Sequence, residues 1–462
     1  MFSKVIGHLV FFLIIISFFA SQAVACFSIV VGKEACANGY VLAGHNEDDG
    51  PPQIVNHHKI SGGQIVNGKK TPSYIWSEMP GMDYSDSYIN QYGVVVTSNN
   101  CPSKEDSPQF TDGGIGKELR RKVALQAKTA RSGVELAGRL VEQFGYLDSG
   151  RTYIIADPNE GWIFCVVKGK HWVAQRVPDD QVAMVANTYT IQDVNPADSN
   201  NFLASRDIIE YAVKRGWYDP NDGRFDFADA YANPRDAESP VNYGRQWAGL
   251  QHITNQDIKI APDLPFVIKP NEKISAEQLM EILRFDDAEA RPDLAAQCSE
   301  AEQVSCVICR GSTQTSFVAE LRGDMPADIG IRYWLCLSQP SRSFYIPFYF
   351  GIDKFPQGYC LESQRPTTEE FERKINAPFK ADANEAFWTF SNYSSKVKDK
   401  TDMEFDFVQR FYFASMNQIS GKILEELESE KSGWSRKEIF YASQALYSLC
   451  LQFMGDIIKE GD

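Results

Sequence analysis

Cys26 is the residue whose position most directly suggests chemistry. It follows Ala23-Val24-Ala25, the small-residue pattern after which signal peptidase cuts. Cleavage there would make Cys26 the first residue of the mature chain, with a thiol and a free α-amine on one residue. The unperturbed amine titrates near ~7.7–8.0, so it can serve as base for its own side chain. The position also suits a lipidated cysteine, although the leucine usual three residues earlier is missing, or an ordinary half-cystine. An amide hydrolase further needs donors for an oxyanion and a group to hold the base. Asp48 is placed to accept a hydrogen bond from the α-ammonium. Asn100 and Asn187 each follow a β-rich run, from which a side-chain amide can point into a cleft. Taken singly, each Asn reads as a turn or cap residue and Asp48 as a solvated loop acid. Only the set, anchored by a terminal cysteine, points to catalysis.

Other chemistries fit less well. The chain has 6 histidines and no Gly-x-Ser-x-Gly elbow, which leaves a Ser-His-Asp triad without support. His57 and His58 are neighbours and cannot both face one metal from a regular strand. Cys306-x-x-Cys309 has zinc-like spacing with Cys298 nearby, but no second pair completes it. In an oxidising compartment, disulfides are expected there instead. Gly113 to Lys117 lacks the phosphate-loop spacing, and Asp219 to Gly223 lacks that of a calcium loop. Neither a cofactor nor a metal is expected.

The elements that must position Cys26 begin at once. Phe27 to Val31 and Tyr40 to Ala43 are apolar runs, and Asn38-Gly39 between them signals a hairpin turn. Such pairing brings the polar residues after Ala43 back beside Cys26. Strands are also expected at Gly93–Ser98, Thr152–Ala156, Trp162–Val167, His171–Val177, Val182–Ala186, Thr315–Leu321 and Ser343–Phe350. Gly116–Ala130 and Arg206–Arg215 have helical composition. Ser132-Gly133-Val134-Glu135 predicts a capped helix that Gly145 ends, and Ser275 to Gln278 predicts another. Phe407–Glu428 and Arg436–Ile458 read as two amphipathic helices, with Ser435 and Glu438 as a capping box for the second. They carry no evident chemistry and suggest a packing appendage or a partner surface.

The whole chain has 462 residues, 43% hydrophobic and 23% charged, which excludes a disordered or collagen-like protein. The formal charge of −15 comes without any basic block, so nucleic acid is not an expected partner. Lys4 and the apolar stretch from Leu9 to Phe19 complete a signal peptide over 1–25. No later stretch has the length and apolarity of a membrane span. The expected location is therefore secreted, periplasmic or in a secretory lumen. Asn392-Tyr393-Ser394 is a glycosylation acceptor pattern that matters only in a eukaryotic secretory route.

Cys26-Phe27-Ser28-Ile29-Val30-Val31-Gly32-Lys33 with Ala35, Gly39 and Asn46-x-Asp48 resembles the start of the dipeptidase A family. These are cysteine peptidases of the N-terminal nucleophile hydrolase superfamily. Gly113 to Gly116, Lys128 to Arg131, Ala156-Asp157, Trp162, His171 to Asp180, Ala186-Asn187, Arg245-x-Trp247 and Pro347-Phe348-Tyr349 extend the likeness to about residue 355. The resemblance implies an α+β fold, a four-layer αββα sandwich, over 26–395, with 396–462 as a C-terminal helical extension. It implies hydrolysis of dipeptides without a metal. Cys26 would be nucleophile and its amine the base, Asp48 would hold the amine, and Asn187 would be an oxyanion donor. Arg245 would stand as a structural or charge-balancing arginine. Two departures stand out. Gly44-His45-Asn46 replaces the glycine-arginine-asparagine common in the superfamily, so His45 would support a thiolate only when protonated. Asn100 aligns better with the related bile salt hydrolases and penicillin acylases. An acylamide hydrolase is thus the alternative substrate class. A non-catalytic secreted or lipid-anchored binding protein is the alternative of another kind, and a homo-oligomer is possible.

Overall fold

Long β-branched, apolar runs separated by Gly and Asx turns favour strands buried on both faces, and strands dominate the fold. The computed structural model describes residues 26–49, 54–66, 68–80, 84–286, 306–360, 379–397, 402–429 and 435–459. Residues 1–25, expected to be a signal peptide, and Cys298 lie outside these residues.

The strands in chain order are β1 (Phe27–Val31), β2 (Val41–Asp48), β3 (Asn56–Ile60), β4 (Ile65–Val66), β5 (Lys69–Lys70), β6 (Tyr74–Met79), β7 (Tyr84–Asn90), β8 (Val95–Asn100) and β9 (Tyr146–Ala156). They continue with β10 (Gly161–Gly169), β11 (Trp172–Val177), β12 (Val182–Val185), β13 (Phe202–Ala204), β14 (Val267–Ile268), β15 (Thr313–Leu321), β16 (Ile331–Leu337) and β17 (Ile346–Tyr349). One sheet has the order β14-β12-β1-β2-β15-β16-β17 and the other β13-β11-β10-β9-β8-β7-β6-β3, while β4 and β5 form a small ribbon. Neighbouring strands are antiparallel throughout both sheets.

Side-chain alternation divides the core into layers. Val30, Val41 and Ala43 of one sheet meet Ile154, Ile163 and Cys165 of the other. On the outer face of the first sheet, Phe27, Ile29 and Val31 pack with Trp247 and Leu279 from helices α3 (Pro240–Ile253) and α4 (Ala276–Arg284). On the outer face of the second, Val96, Ile155 and Phe164 pack with Leu119 and Val134 from α1 (Glu118–Gln126) and α2 (Ala130–Phe144). Helix, sheet, sheet and helix make the expected αββα sandwich. Near the far edge of the first sheet follow α5 (Ala386–Lys396), α6 (Asp402–Ser429) and α7 (Arg436–Lys459).

Several local expectations need correction. β1 and β2 do pair, but residues 32–40 connect them as a loop rather than a two-residue turn, with Gly39 at φ +77°. The helix ending at Gly145 starts earlier than Ser132. Thr129 is its N-cap, and Ser132 is the N3 residue that returns the bond to the Thr129 N–H. A serine hydroxyl both donates and accepts, so it closes the box at N3 as well as opening one. Cys309 is a free buried thiol that donates to Ser341 Oγ at 3.4 Å. The disulfide expected there is therefore not formed. No described helix is long and apolar enough to cross a membrane.

Candidate active site

The run Gly44-His45-Asn46-Glu47-Asp48 is polar, yet it lies in a fully buried strand between β1 and β15. Buried polar side chains need hydrogen-bond partners, and here they find one another. The β1–β2 register sets Phe27 opposite Asn46 and Ser28 opposite His45. Continued by one residue, it brings Cys26 level with Glu47. Cys26, Ser28, His45 and Glu47 then face the second sheet, while Asn46 and Asp48 face the helix layer.

On the inner face the Cys26 thiol donates to Glu47 Oε2 at 3.3 Å. The same oxygen lies 2.9 Å from His45 Nε2, and His45 Nδ1 lies 2.7 Å from Ser28 Oγ. Ser28 donates to Asn99 Oδ1 at 2.5 Å. Asn99 is fixed in that orientation because its Nδ2 donates to the carbonyls of Val185 and Ala186 at 2.9 and 2.8 Å. Ser28 has one proton and gives it to Asn99, so its oxygen accepts from His45 Nδ1. An ionised carboxylate only accepts, so His45 Nε2 donates to Glu47. With Glu47 ionised, the network closes with both ring nitrogens protonated, an imidazolium–carboxylate pair beside the thiol. Thiol, imidazole and carboxylate also bring ligand atoms within 4.8 Å of one another, a donor set that a borderline cation such as zinc accepts.

On the other face, α3 supplies Arg245. Pro240 at N1 starts this helix, and the three-residue spacing puts Asn242 and Arg245 on one side. Arg245 is fully buried. It donates to the Cys26 carbonyl oxygen at 3.1 Å, to Asn187 Oδ1 at 2.6 Å and to Asn242 Oδ1 at 3.2 Å. Its guanidinium lies 3.6 Å from Asp48 Oδ2. Asp48 Oδ1 accepts from Thr313 at 2.5 Å, and no described residue donates a hydrogen bond to Oδ2. Burial pushes the Asp48 carboxyl up to about 6 against the pull of Arg245 and the Thr313 hydrogen bond. Burial likewise lowers Arg245 to about 10, with Asp48 opposing it.

Because Arg245 can only donate, it fixes Asn187 with its oxygen toward the guanidinium. Asn187 Nδ2 then donates to the Asn100 carbonyl at 2.9 Å. That bond uses one of its two N–H groups. Asn100 itself joins the cluster only through this backbone oxygen. Its side chain accepts from Ser149 at 3.3 Å and lines a cavity of about 800 Å³ with Arg120 and Arg151. The structure thus brings together Cys26, His45, Asp48, Asn187 and Arg245, and turns the Asn100 amide elsewhere.

Ser28, Glu47, Asn99, Asn242 and Thr313 also belong to the cluster, and sequence reasoning passed over them. Alternation offered the signal for two of them. Two residues from Cys26 on one strand is Ser28, and a polar residue two from His45 is Glu47.

The profile of peptidase family C69 matches residues 93–405, more than half of the chain. That stretch contains Asn100, Asn187 and Arg245, while Cys26, His45 and Asp48 precede it. A probable dipeptidase of Salmonella dublin is 28% identical over 73% of this chain and 83% of that protein. A probable dipeptidase of Latilactobacillus sakei is 26% identical over 72% of this chain and 76% of its own. A dipeptidase of Bifidobacterium longum is 24% identical over 82% and 80%. Among solved structures, penicillin V acylase from Agrobacterium tumefaciens overlaps 70% of this chain and 86% of its own at 9% identity and a TM-score of 0.35.

Proposed function

The chain belongs to peptidase family C69, and on that premise we propose that it is an exported cysteine dipeptidase whose nucleophile is Cys26. Removal of residues 1–25 frees the Cys26 amine. That amine takes the thiol proton as sulfur attacks the amide carbonyl of a dipeptide. The same proton then passes to the leaving amine, and water cleaves the thioester. Asp48 Oδ2 holds the amine, and the second N–H of Asn187 stabilises the oxyanion. Loss of one such donor typically costs ~10²–10³ in rate.

The observation that carries this reading is the convergence of Asp48, Asn187 and Arg245 around the Cys26 backbone. A backbone carbonyl held by a buried arginine fixes where the thiol and amine stand. The dipeptidases among the relatives supply the substrate class.

The test is a substrate panel on protein that begins at Cys26, with dipeptides set against N-acyl amino acids, conjugated bile salts and penicillins. Dipeptides are expected to be cleaved, and Cys26→Ala is expected to abolish turnover with the fold intact. Cys26→Ser should be slow, because a hydroxyl is the weaker nucleophile. Cleavage of acylamides alone moves the protein to the acylase class. A blocked or lipidated Cys26 with no turnover leaves a binding protein.

A further inference from the structure

A second cysteine sits in a Cys–His–acid arrangement away from Cys26. Cys360 is half-buried, and it alone among the described cysteines is not fully buried. Its Sγ lies 3.5 Å from His58 Nδ1. The sulfur also lies 3.8 Å from His58 Nε2, the nitrogen that stands 2.7 Å from Glu78 Oε2. The ring is stacked on Trp76, with centroids 4.9 Å apart and planes at 24°. β3 and β6 pair His58 with Trp76, which puts Glu78 two residues further along the same strand face. Glu78 accepts the Nε2 proton, and Nδ1, the nearer nitrogen, is left to exchange a proton with sulfur.

The charge balance favours a cationic His58. Burial works against a charged His58, but the hydrogen bonds to Cys360 and Glu78 prevail and push it up to about 9. His58 is therefore a cation at neutral pH. Among the described residues, the titratable groups that face it are Glu78 from β6 and Cys360 from the segment after β17. His57 and Lys59, its neighbours on β3, turn to the opposite face, toward Phe355 and Tyr359 and toward Phe350. A thiol beside a fixed imidazolium and open to solvent meets the conditions for a reactive cysteine.

We propose that Cys360 is a second reactive thiol, activated by the His58–Glu78 pair and modified by soft electrophiles, in particular hydroperoxides. The thiolate attacks the terminal oxygen of the hydroperoxide and the O–O bond breaks. The electron pair leaves on the alkoxide, which takes the proton from His58 Nδ1 and departs as an alcohol. Sulfur is oxidised by two electrons to the sulfenic acid, and the hydroperoxide is reduced. Nothing in this chemistry requires Cys26, so the proposal stands or falls apart from the dipeptidase reading.

The test is the rate of iodoacetamide alkylation at Cys360 at pH 7, followed peptide by peptide by mass spectrometry on the folded full-length mature protein. Cys360 is expected to react at least about 10-fold faster than the same cysteine in a denatured sample or a short peptide. His58→Gln should slow it toward the peptide rate, and Glu78→Gln should slow it part of the way. After exposure to tert-butyl hydroperoxide, dimedone should label Cys360 in the wild type and much less in His58→Gln. A wild-type rate no faster than the peptide rate overturns the proposal whether or not the variants fold. So does a rate that folded His58→Gln leaves unchanged, or the absence of dimedone labelling in the wild type.

Discussion

Asp48 carries two opposed demands. In the proposed mechanism its carboxylate has to be ionised to hold an ammonium, yet burial raises it to about 6 from an ordinary value of 3.8. The sign follows directly. A folded-state value above the unfolded one means that folding favours the protonated form. Stability from this group is fully present below about 4 and declines as pH rises through about 6. Activity runs the other way, because protonation below about 6 removes the partner of the α-ammonium. The expected kcat/KM profile therefore falls on the acid side with an apparent midpoint near 6. Asp48→Asn should lower kcat/KM by about 10²-fold or more and remove that limb, while lowering the urea midpoint at pH 7, because Arg245 is left buried without its counter-ion. A variant that keeps the wild-type acid limb would assign the limb to another group. On the inner face, Ser28 and Glu47 bracket the His45 imidazole at 2.7 and 2.9 Å.

Strand placement decides which of these residues can meet, and the inter-sheet gap leaves little slack. Gly161 of β10 faces Val30 of β1, and a Cβ at position 161 would run into Val30 Cγ1. Val30 lies between Ile29 and Val31 on the strand that Cys26 leads. Gly161→Ala is thus expected to cost about 1–3 kcal/mol in denaturant melts. It should also lower kcat, because the displacement acts on the strand that carries the nucleophile. An unchanged kcat at reduced stability would mean the strand yields without moving its end. Elements of this kind were readable from the sequence. Phe27–Val31 and Trp162–Val167 announce themselves by β-branched runs, and the second capping box starts its helix at Ala276 as expected. Polar strands were harder to read. His45 to Asp48 and Asn99-Asn100 carry no apolar signal, so the apolar runs at Tyr40–Ala43 and Gly93–Ser98 stop short of them. With them went the parity that sets Asn99, rather than Asn100, toward Ser28. Asn242 and Thr313 were not legible at all, because what selects them is Arg245 and Asp48 arriving from distant elements.

At the scale of the whole molecule, the open question is how far the C-terminal helices belong to the catalytic body. Their sequence lacks the chemistry-bearing motifs of the first 355 residues, which suggested an appendage. Their contacts argue for integration. Tyr349 of β17 donates to the Ser420 carbonyl at 2.9 Å, and Arg332 of β16 donates to Ser420 Oγ at 3.2 Å. Phe344 packs against Tyr412 and Phe453 with centroids 4.4 and 5.8 Å away, and Tyr359 packs against Tyr447 at 5.2 Å. Ile439, Leu446 and Cys450 are fully buried in the same core that holds the sheets together. Each large apolar side chain uncovered costs about 1.5–3 kcal/mol, and Phe344, Tyr349 and Tyr359 would all be uncovered together. A chain ending at Val397 is therefore expected to melt at least about 10 °C lower than the full chain and to bind a hydrophobic dye or aggregate. The β1–β2 pair lies three strands from that edge, so any soluble truncated protein should keep its KM and lose activity in proportion to the unfolded fraction. If the truncated chain instead melts with the full one, α6 and α7 are a separable surface, and their exposed Phe407, Phe411 and Tyr441 become the place to look for a partner.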